Sequence, residues 1–307
     1  MGSSYIVSEK IRVGVSACNT GAKIRWNRAG WDRLAPLGRE RNSFIWTPVC
    51  PEVMAGLGVP RHPIRLSGGD GDSVWSSEGA VKNREGRDVT EDLKKACLDC
   101  EAALDRAGVE AFIFMEGSPS CGVYRTTLKN KRLGKPPGVF GSLLLKKRLF
   151  LIPALDLESP IKWWDWRRRL HAFCWLKRQE LTSKKQIFDI WHHFKFICQE
   201  VERKEAEEIG RVLAALPKGF SEEAAEEWRS RTLELLRKPS NHRRIVSVMR
   251  KHFAYYRKHI GGEVLPETPD ESMSKYKFVD ELKEMEKRAV RENFLFAGTP
   301  VIYREVR

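Results

Sequence analysis

Three cysteines share one setting. Cys18 follows the run Ile11-Arg12-Val13-Gly14-Val15-Ser16. Cys50 follows Phe44-Ile45-Trp46-Thr47-Pro48-Val49. Cys121 follows Ala111-Phe112-Ile113-Phe114-Met115 through Gly117-Ser118-Pro119-Ser120. Short apolar runs that break at Gly, Pro and Ser read as buried strands with sharp exits. The carboxyl ends of strands are where open α/β sheets place ligands. Three thiolates in that position could hold zinc with one coordination position open. They could hold an iron–sulfur cluster, which commonly takes four Cys, with one iron left free of protein ligand. They could also be three unconnected thiols. Separations of 32 residues (18 to 50) and 71 residues (50 to 121) match no compact ligand spacing and do not choose between these.

The elements that must position these thiols alternate. Strands end before Cys18, Cys50 and Cys121, and a fourth is predicted at Leu149-Phe150-Leu151-Ile152-Pro153. Between them, Arg87-Asp88-Val89-Thr90 leads into a helix with Thr90 as the expected N-cap and Glu91 and Asp92 in its first turn. Its apolar positions 93, 96, 97, 100, 104 and 107 share one face. Cys97 and Cys100 lie on that face. Their spacing suits zinc or a redox pair, but their place among core positions favours two small buried residues. Residues 56–72 read as a long Gly- and Pro-rich loop, 124–138 as a basic loop (Arg125, Lys129, Lys131, Arg132, Lys135), and 138–145 as a helix. Residues 1–10 read as a loose lead-in. Alternating strands and helices predict an α/β domain with a mostly parallel sheet over 1–158.

After Ser159-Pro160 the pattern changes to helix-period segments, predicting an all-α helical domain over 159–307. Residues 161–177 carry Trp163, Trp166, Leu170, Phe173 and Cys174 at helical spacing. Residues 184–216 repeat it, with Cys198 on the apolar stripe. A further helix starts at Ser221 and another, charged, lies near 272–293. In 241–260, basic pairs recur every seven residues: Arg243-Arg244, Arg250-Lys251 and Arg257-Lys258. Seven residues is close to two helical turns, so the pairs share a face. Ile245, Met249, Phe253, Tyr256 and Ile260 fall roughly opposite. No acidic residue lies between Glu234 and Glu263, and His242, His252 and His259 add donors. A basic stripe with no acidic partners suits a phosphate backbone better than a mixed, solvated face.

Composition sets limits on all of this. The 307 residues carry a formal charge of +14, with 24 basic and 18 acidic residues in 1–160 and 31 and 23 in 161–307. The excess is spread over both halves, not held in a tail, and favours a polyanionic partner. No apolar stretch is long enough for a transmembrane helix, and the N-terminus lacks a secretory signal pattern. Seven cysteines, an odd number without scaffold spacing, point to a reduced, cytoplasmic setting.

Several motifs together resemble the thiouracil desulfidase family. They are Val15-Ser16-Ala17-Cys18, Pro48-Val49-Cys50-Pro51-Glu52, Gly56-Leu57-Gly58-Val59-Pro60-Arg61, Arg87-Asp88-Val89-Thr90 and Ser118-Pro119-Ser120-Cys121-Gly122. The resemblance spans roughly residues 10–155. Asn19-Thr20, Arg25-Trp26-Asn27 and Glu116-Gly117 depart from the family's usual residues, and Glu116 is expected near the pocket, where it would repel a phosphate. The second half resembles the helical domain often fused behind this family, through Trp191-His192-His193-Phe194-Lys195-Phe196 and residues 241–260. The fused form is similar to desulfidases acting on 4-thiouridine in tRNA. The resemblance implies a 4Fe-4S cluster on Cys18, Cys50 and Cys121, and an unligated iron that captures the thiocarbonyl sulfur. It further implies acid–base work by Glu52 and hydrogen bonding or proton relay by Ser118 and Ser120. The implied substrate is thiolated uridine, within tRNA held by Arg243, Arg244, Arg250, Lys251, Arg257 and Lys258. Alternatives are a free thiouracil or thiouridine nucleotide as substrate, or an RNA-binding protein whose cluster is only structural.

Overall fold

In the computed structural model, the structure describes residues 5–124, 137–216, 219, 221–260, 275–292 and 296–304. The chain divides into two compact units. One is Lys10–Glu158; the other joins Met1–Glu9 to Ser159–Arg307. In chain order, β1 (Ile6–Val7) belongs to the second unit, and β2 (Ile11–Ser16) opens the first.

The first unit is built on four parallel strands: β2, β3 (Phe44–Val49), β6 (Ala111–Phe114) and β7 (Phe150–Pro153), ordered β3-β2-β6-β7. β2 carries Val13 and Val15 into the core, and β6 is buried at all four positions. Such near-continuous apolar runs are what a parallel sheet covered on both faces requires. From β2 the chain passes first to β3 on one side and later to β6 on the other. The strand order therefore reverses beside β2, which is the crevice where open α/β sheets bind ligands.

Between β3 and β6 lie α1 (Pro51–Met54), β4 (Ile64–Ser67), α2 (Gly71–Trp75), β5 (Ala80–Asn83) and α3 (Thr90–Arg106). The segment expected as a plain loop thus contains β4 and the start of α2. β4 pairs antiparallel with β5. Four-residue strands rich in polar neighbours give too little alternation to be read from sequence. Thr90 is not the N-cap of α3 but its first helical residue. Its hydroxyl accepts the Val81 N–H at 2.8 Å, so it ties the helix to the hairpin. Cys97 and Cys100 are fully buried on the inner face of α3, within the apolar core. α4 (Val139–Lys146) precedes β7. Residues 125–136, most of the basic loop, lie outside the described residues.

The second unit contains α5 (Pro160–Lys177), α6 (Lys184–Val201), α7 (Arg203–Ala215), α8 (Glu222–Arg237), α9 (His242–Ile260) and α10 (Lys275–Arg291). Ser159, Ser183 and Ser221 cap α5, α6 and α8, each accepting an N–H three residues on. The stretch 184–216 is two helices, because Glu202 adopts extended backbone angles (φ −154°, ψ 108°). Residues 1–10 are not merely a lead-in: β1 pairs in parallel with β8 (Ile302–Tyr303) in this unit. Among the described residues no helix is long and apolar enough to cross a membrane.

α5 is buried nearly all round, including Asp165, Arg168 and Arg169. Both arginines bond the Asp165 carboxylate at 2.7 Å. Arg168 also reaches Glu200 and the Gly298 carbonyl, and Glu200 bonds His252 at 3.1 Å. Buried charge is tolerable only when paired in this way.

Candidate functional site

Each of the three strand-end thiols is fixed by a different local device. Cys18 lies in a 3-10 turn, Ala17–Asn19, directly after β2. Cys50 is the N-cap of α1, with Pro51 in the first helical position. The backbone amides of Val53 and Glu52, in the first turn of α1, favour its thiolate form. Cys121 sits in a turn that leaves β6 through Gly117, whose φ of 73° belongs to the left-handed region. The Ser118 hydroxyl accepts the N–H groups of Ser120 (3.3 Å) and Cys121 (3.1 Å). From the other side, the first amides of α4 donate to this turn: Val139 to the Pro119 carbonyl, and Phe140 and Gly141 to that of Ser120 (2.9–3.0 Å). Orphan N–H groups at a helix start are thereby satisfied. A Cβ on Gly141 would lie 2.0 Å from the Gly122 carbonyl oxygen, so only glycine allows this approach.

These loops wall a cavity of about 550 Å³, within the range of small-molecule sites. Cys18, Cys50, Cys121, Glu52, Ser118 and Ser120 all line it, as do Arg25, Trp26, Arg61 and Arg65. Glu52, the second residue of α1, is the hub of the polar contacts. Its Oε1 accepts from Ser120 at 2.7 Å and Ser118 at 3.4 Å, and the two hydroxyl oxygens are 2.9 Å apart. Its Oε2 accepts from Arg61 Nε at 2.9 Å and Nη2 at 2.6 Å. Glu116, expected near the pocket, is buried, and the wall passes from Met115 to Gly117 without it.

Burial pushes the Cys18 thiol up to about 11, opposed by the neighbouring Arg25 guanidinium. Cys50 is also raised by burial, partly offset by the α1 amides. Cys121 is held well above the ordinary thiol range by burial, and the charge of Cys50 adds to this, while a Ser16 hydrogen bond works against it. The three thiols thus sense one another, and without a positive centre among them they stay protonated. Among the described residues no three His, Cys, Asp or Glu side chains converge tightly enough for a single metal ion. One tetrahedral zinc with Zn–S bonds of about 2.3 Å would draw its sulfurs to within about 4 Å of one another. Cys18, Cys50 and Cys121 nevertheless border one cavity.

Sequence reasoning gave Arg61 and Arg25 no role. Arg61 stands nine residues beyond Glu52, inside a Gly/Pro-rich stretch, and only the fold returns it to the carboxylate. Its one sequence signal is its place in the Gly56–Arg61 motif.

The basic face of α9 belongs to the helical unit. Arg243, Arg244, Arg250, Lys251 and Lys258 are exposed, and Arg257 is half-buried. Arg244 is also engaged, donating to the Val201 carbonyl at the end of α6. His252 is not a surface donor: it is fully buried against Glu200 and Trp164. Ile245, Met249, Phe253 and Tyr256 form the buried side, while the Ile260 side chain lies outside the described residues.

The [4Fe-4S]-dependent thiouracil desulfidase TudS, a solved structure, shares 25% identity at a TM-score of 0.39, over 49% of this chain and 95% of its own. The uncharacterized protein YbbK of Bacillus subtilis (strain 168) is 30% identical over 150 residues, covering 47% of this chain and 97% of YbbK. A family model described as 2-thiouracil desulfurase matches residues 13–155, a span holding the whole cavity wall. Through that half of its length the chain belongs to the 2-thiouracil desulfurase family.

Proposed function

We propose that the protein is an iron–sulfur-dependent desulfidase that removes sulfur from a thiolated uracil ring. The observation that carries this reading is the convergence of three thiols and the Glu52–Ser120–Ser118 hydrogen-bond chain on one cavity. The donor set fits a 4Fe-4S cluster: three cysteines bordering one cavity of about 550 Å³. Cys18, Cys50 and Cys121 would hold it, and when bound it would supply an iron open to the thiocarbonyl sulfur as a Lewis acid.

The protein's own groups supply the proton movements. The reaction exchanges a C=S bond for a C=O bond with one water, whose two hydrogens leave with sulfur as hydrogen sulfide; no electrons are transferred. Glu52 accepts a proton from the attacking water at Oε1 and returns it toward the departing sulfur. Ser120 donates to that oxygen and Ser118 can donate to Ser120, which gives the proton a path along the cavity wall.

The substrate in this proposal is 4-thiouridine within tRNA. Support comes from the exposed Arg243, Arg250, Lys251 and Lys258 of α9, on a helix without acidic residues. Positive charge of one sign along a helix neutralises phosphates, and a free base needs none of it. Free thiouracil or a thiouridine nucleotide is the competing substrate, and an RNA-binding protein with a structural cluster is the competing function.

Anaerobic purification followed by iron and sulfide analysis tests the core of the proposal. About four irons per chain are expected, and Cys50→Ala should lose both iron and sulfide release. Stoichiometric zinc in colourless protein, or a Cys50→Ala variant that still desulfurises, would end it. Loss of thiocarbonyl absorbance separates the substrates. Reversing Arg243, Arg250 and Arg257 to Glu should cut activity on thiolated tRNA by roughly 10²-fold or more at moderate salt. Turnover of free thiouracil should persist in that variant; equal loss on both substrates would argue against tRNA.

A further inference from the structure

We infer that Arg61 is a positioning residue that fixes the Glu52 carboxylate against residues 24–26 of the cavity wall. Its side chain is only 5% exposed, and every arm of the guanidinium is used. Nε and Nη2 hold Glu52 Oε2. Nη1 donates to the Ile24 carbonyl at 2.8 Å and the Gly58 carbonyl at 3.0 Å. Its main-chain N–H donates to the Trp26 carbonyl at 2.9 Å. One residue therefore holds the carboxylate and, from two directions, the strip of wall that carries Arg25 and Trp26.

Two consequences follow from this geometry. With Oε2 occupied, Glu52 turns a single oxygen, Oε1, toward Ser118 and Ser120. On the strip held by Arg61, Trp26 lines the cavity while remaining 42% exposed, which leaves an aromatic side chain for a flat ring to lie against. Stacking on an aromatic face tolerates any pyrimidine and adds affinity without hydrogen-bond readout. Arg61 then sets the distance between the stacked ring and the acid–base oxygen. Lysine could pair with Glu52 as a point charge, but one ammonium cannot also reach the Ile24 and Gly58 carbonyls in the fork geometry.

The kinetic arm of the test rests on the desulfidase reading; the exchange arm does not. Wild type, Arg61→Gln, Arg61→Lys and Trp26→Ala are compared by iron content, hydrogen exchange of the peptide 21–33, and kcat and KM on free thiouracil. Iron content is expected to match wild type in all three variants. Arg61→Gln should speed exchange in 21–33 and lower kcat about tenfold or more while raising KM. Arg61→Lys should recover much of kcat yet keep the fast exchange and the raised KM. Trp26→Ala should raise KM about tenfold with little change in kcat. Unchanged exchange in Arg61→Gln, or a lysine variant that restores kcat, KM and exchange together, would overturn the inference. A wild type that holds iron yet leaves thiouracil intact would instead defeat the desulfidase proposal, and the exchange comparison alone would then decide Arg61.

Discussion

Glu52 shows how a common carboxylate becomes a directed one. Its two oxygens face different partners, a cation on one side and two hydroxyls on the other. Glu52→Gln keeps the shape but cannot take up a proton. It is expected to retain iron and lose about 10²- to 10⁴-fold in kcat, measured by sulfide release at fixed iron content. A variant as active as wild type would remove Glu52 from the chemistry. The residues of this site were legible to different degrees. Cys18, Cys50 and Cys121 stand out in the sequence because three thiols at strand ends are an unusual pattern. Arg61 does not, because a lone cation in a loop looks like solubility until the fold brings it back to a carboxylate.

At the scale of elements, the start of α4 matters as much as the strands. Its amides hold the carbonyls of Pro119 and Ser120, and so fix the turn carrying Cys121. Gly141→Ala would press a methyl group onto the Gly122 carbonyl at 2.0 Å. A loss of about 1–3 kcal/mol is expected, read as a lower denaturant midpoint, together with weaker iron retention. Unchanged stability would mean that helix and turn can separate cheaply. Most elements were readable because each satisfies one period: the parallel strands as continuous apolar runs, the later helices as stripes closed by serine caps. The β4–β5 hairpin escaped because each strand has four residues and only half-buried faces. The break at Glu202 escaped because the apolar stripe continues across it from α6 into α7.

At the scale of the whole molecule, the helical unit carries its own acid sensitivity. Burial lowers the His252 pKa from 6.5, with Glu200 opposing the shift. Asp165 and Glu200 are held low by Arg168 and Arg169 and by Arg168 and His252, respectively, against the cost of burial. Below pH 6.5 the unfolded chain takes up a proton at His252 before the folded one does, so stability falls with acidification. Protonation of the two carboxylates extends the loss in the same direction at lower pH. The melting temperature should therefore drop as pH is lowered from 6.5, and His252→Gln should flatten the upper part of that slope. A profile flat down to the carboxylate range would remove His252 as its cause.

The pairing of β1 with β8 bears on how such a chain can be made. Ile6 and Val7 precede Lys10–Glu158 in the sequence, and the strand they pair with comes only after α10. Meanwhile all of Lys10–Glu158 emerges and can close around its own sheet. β1 therefore cannot pair until Ile302 and Tyr303 have been made. Every residue that lines the thiol cavity lies between Ser16 and Cys121, so all of them are made before α5 to α10.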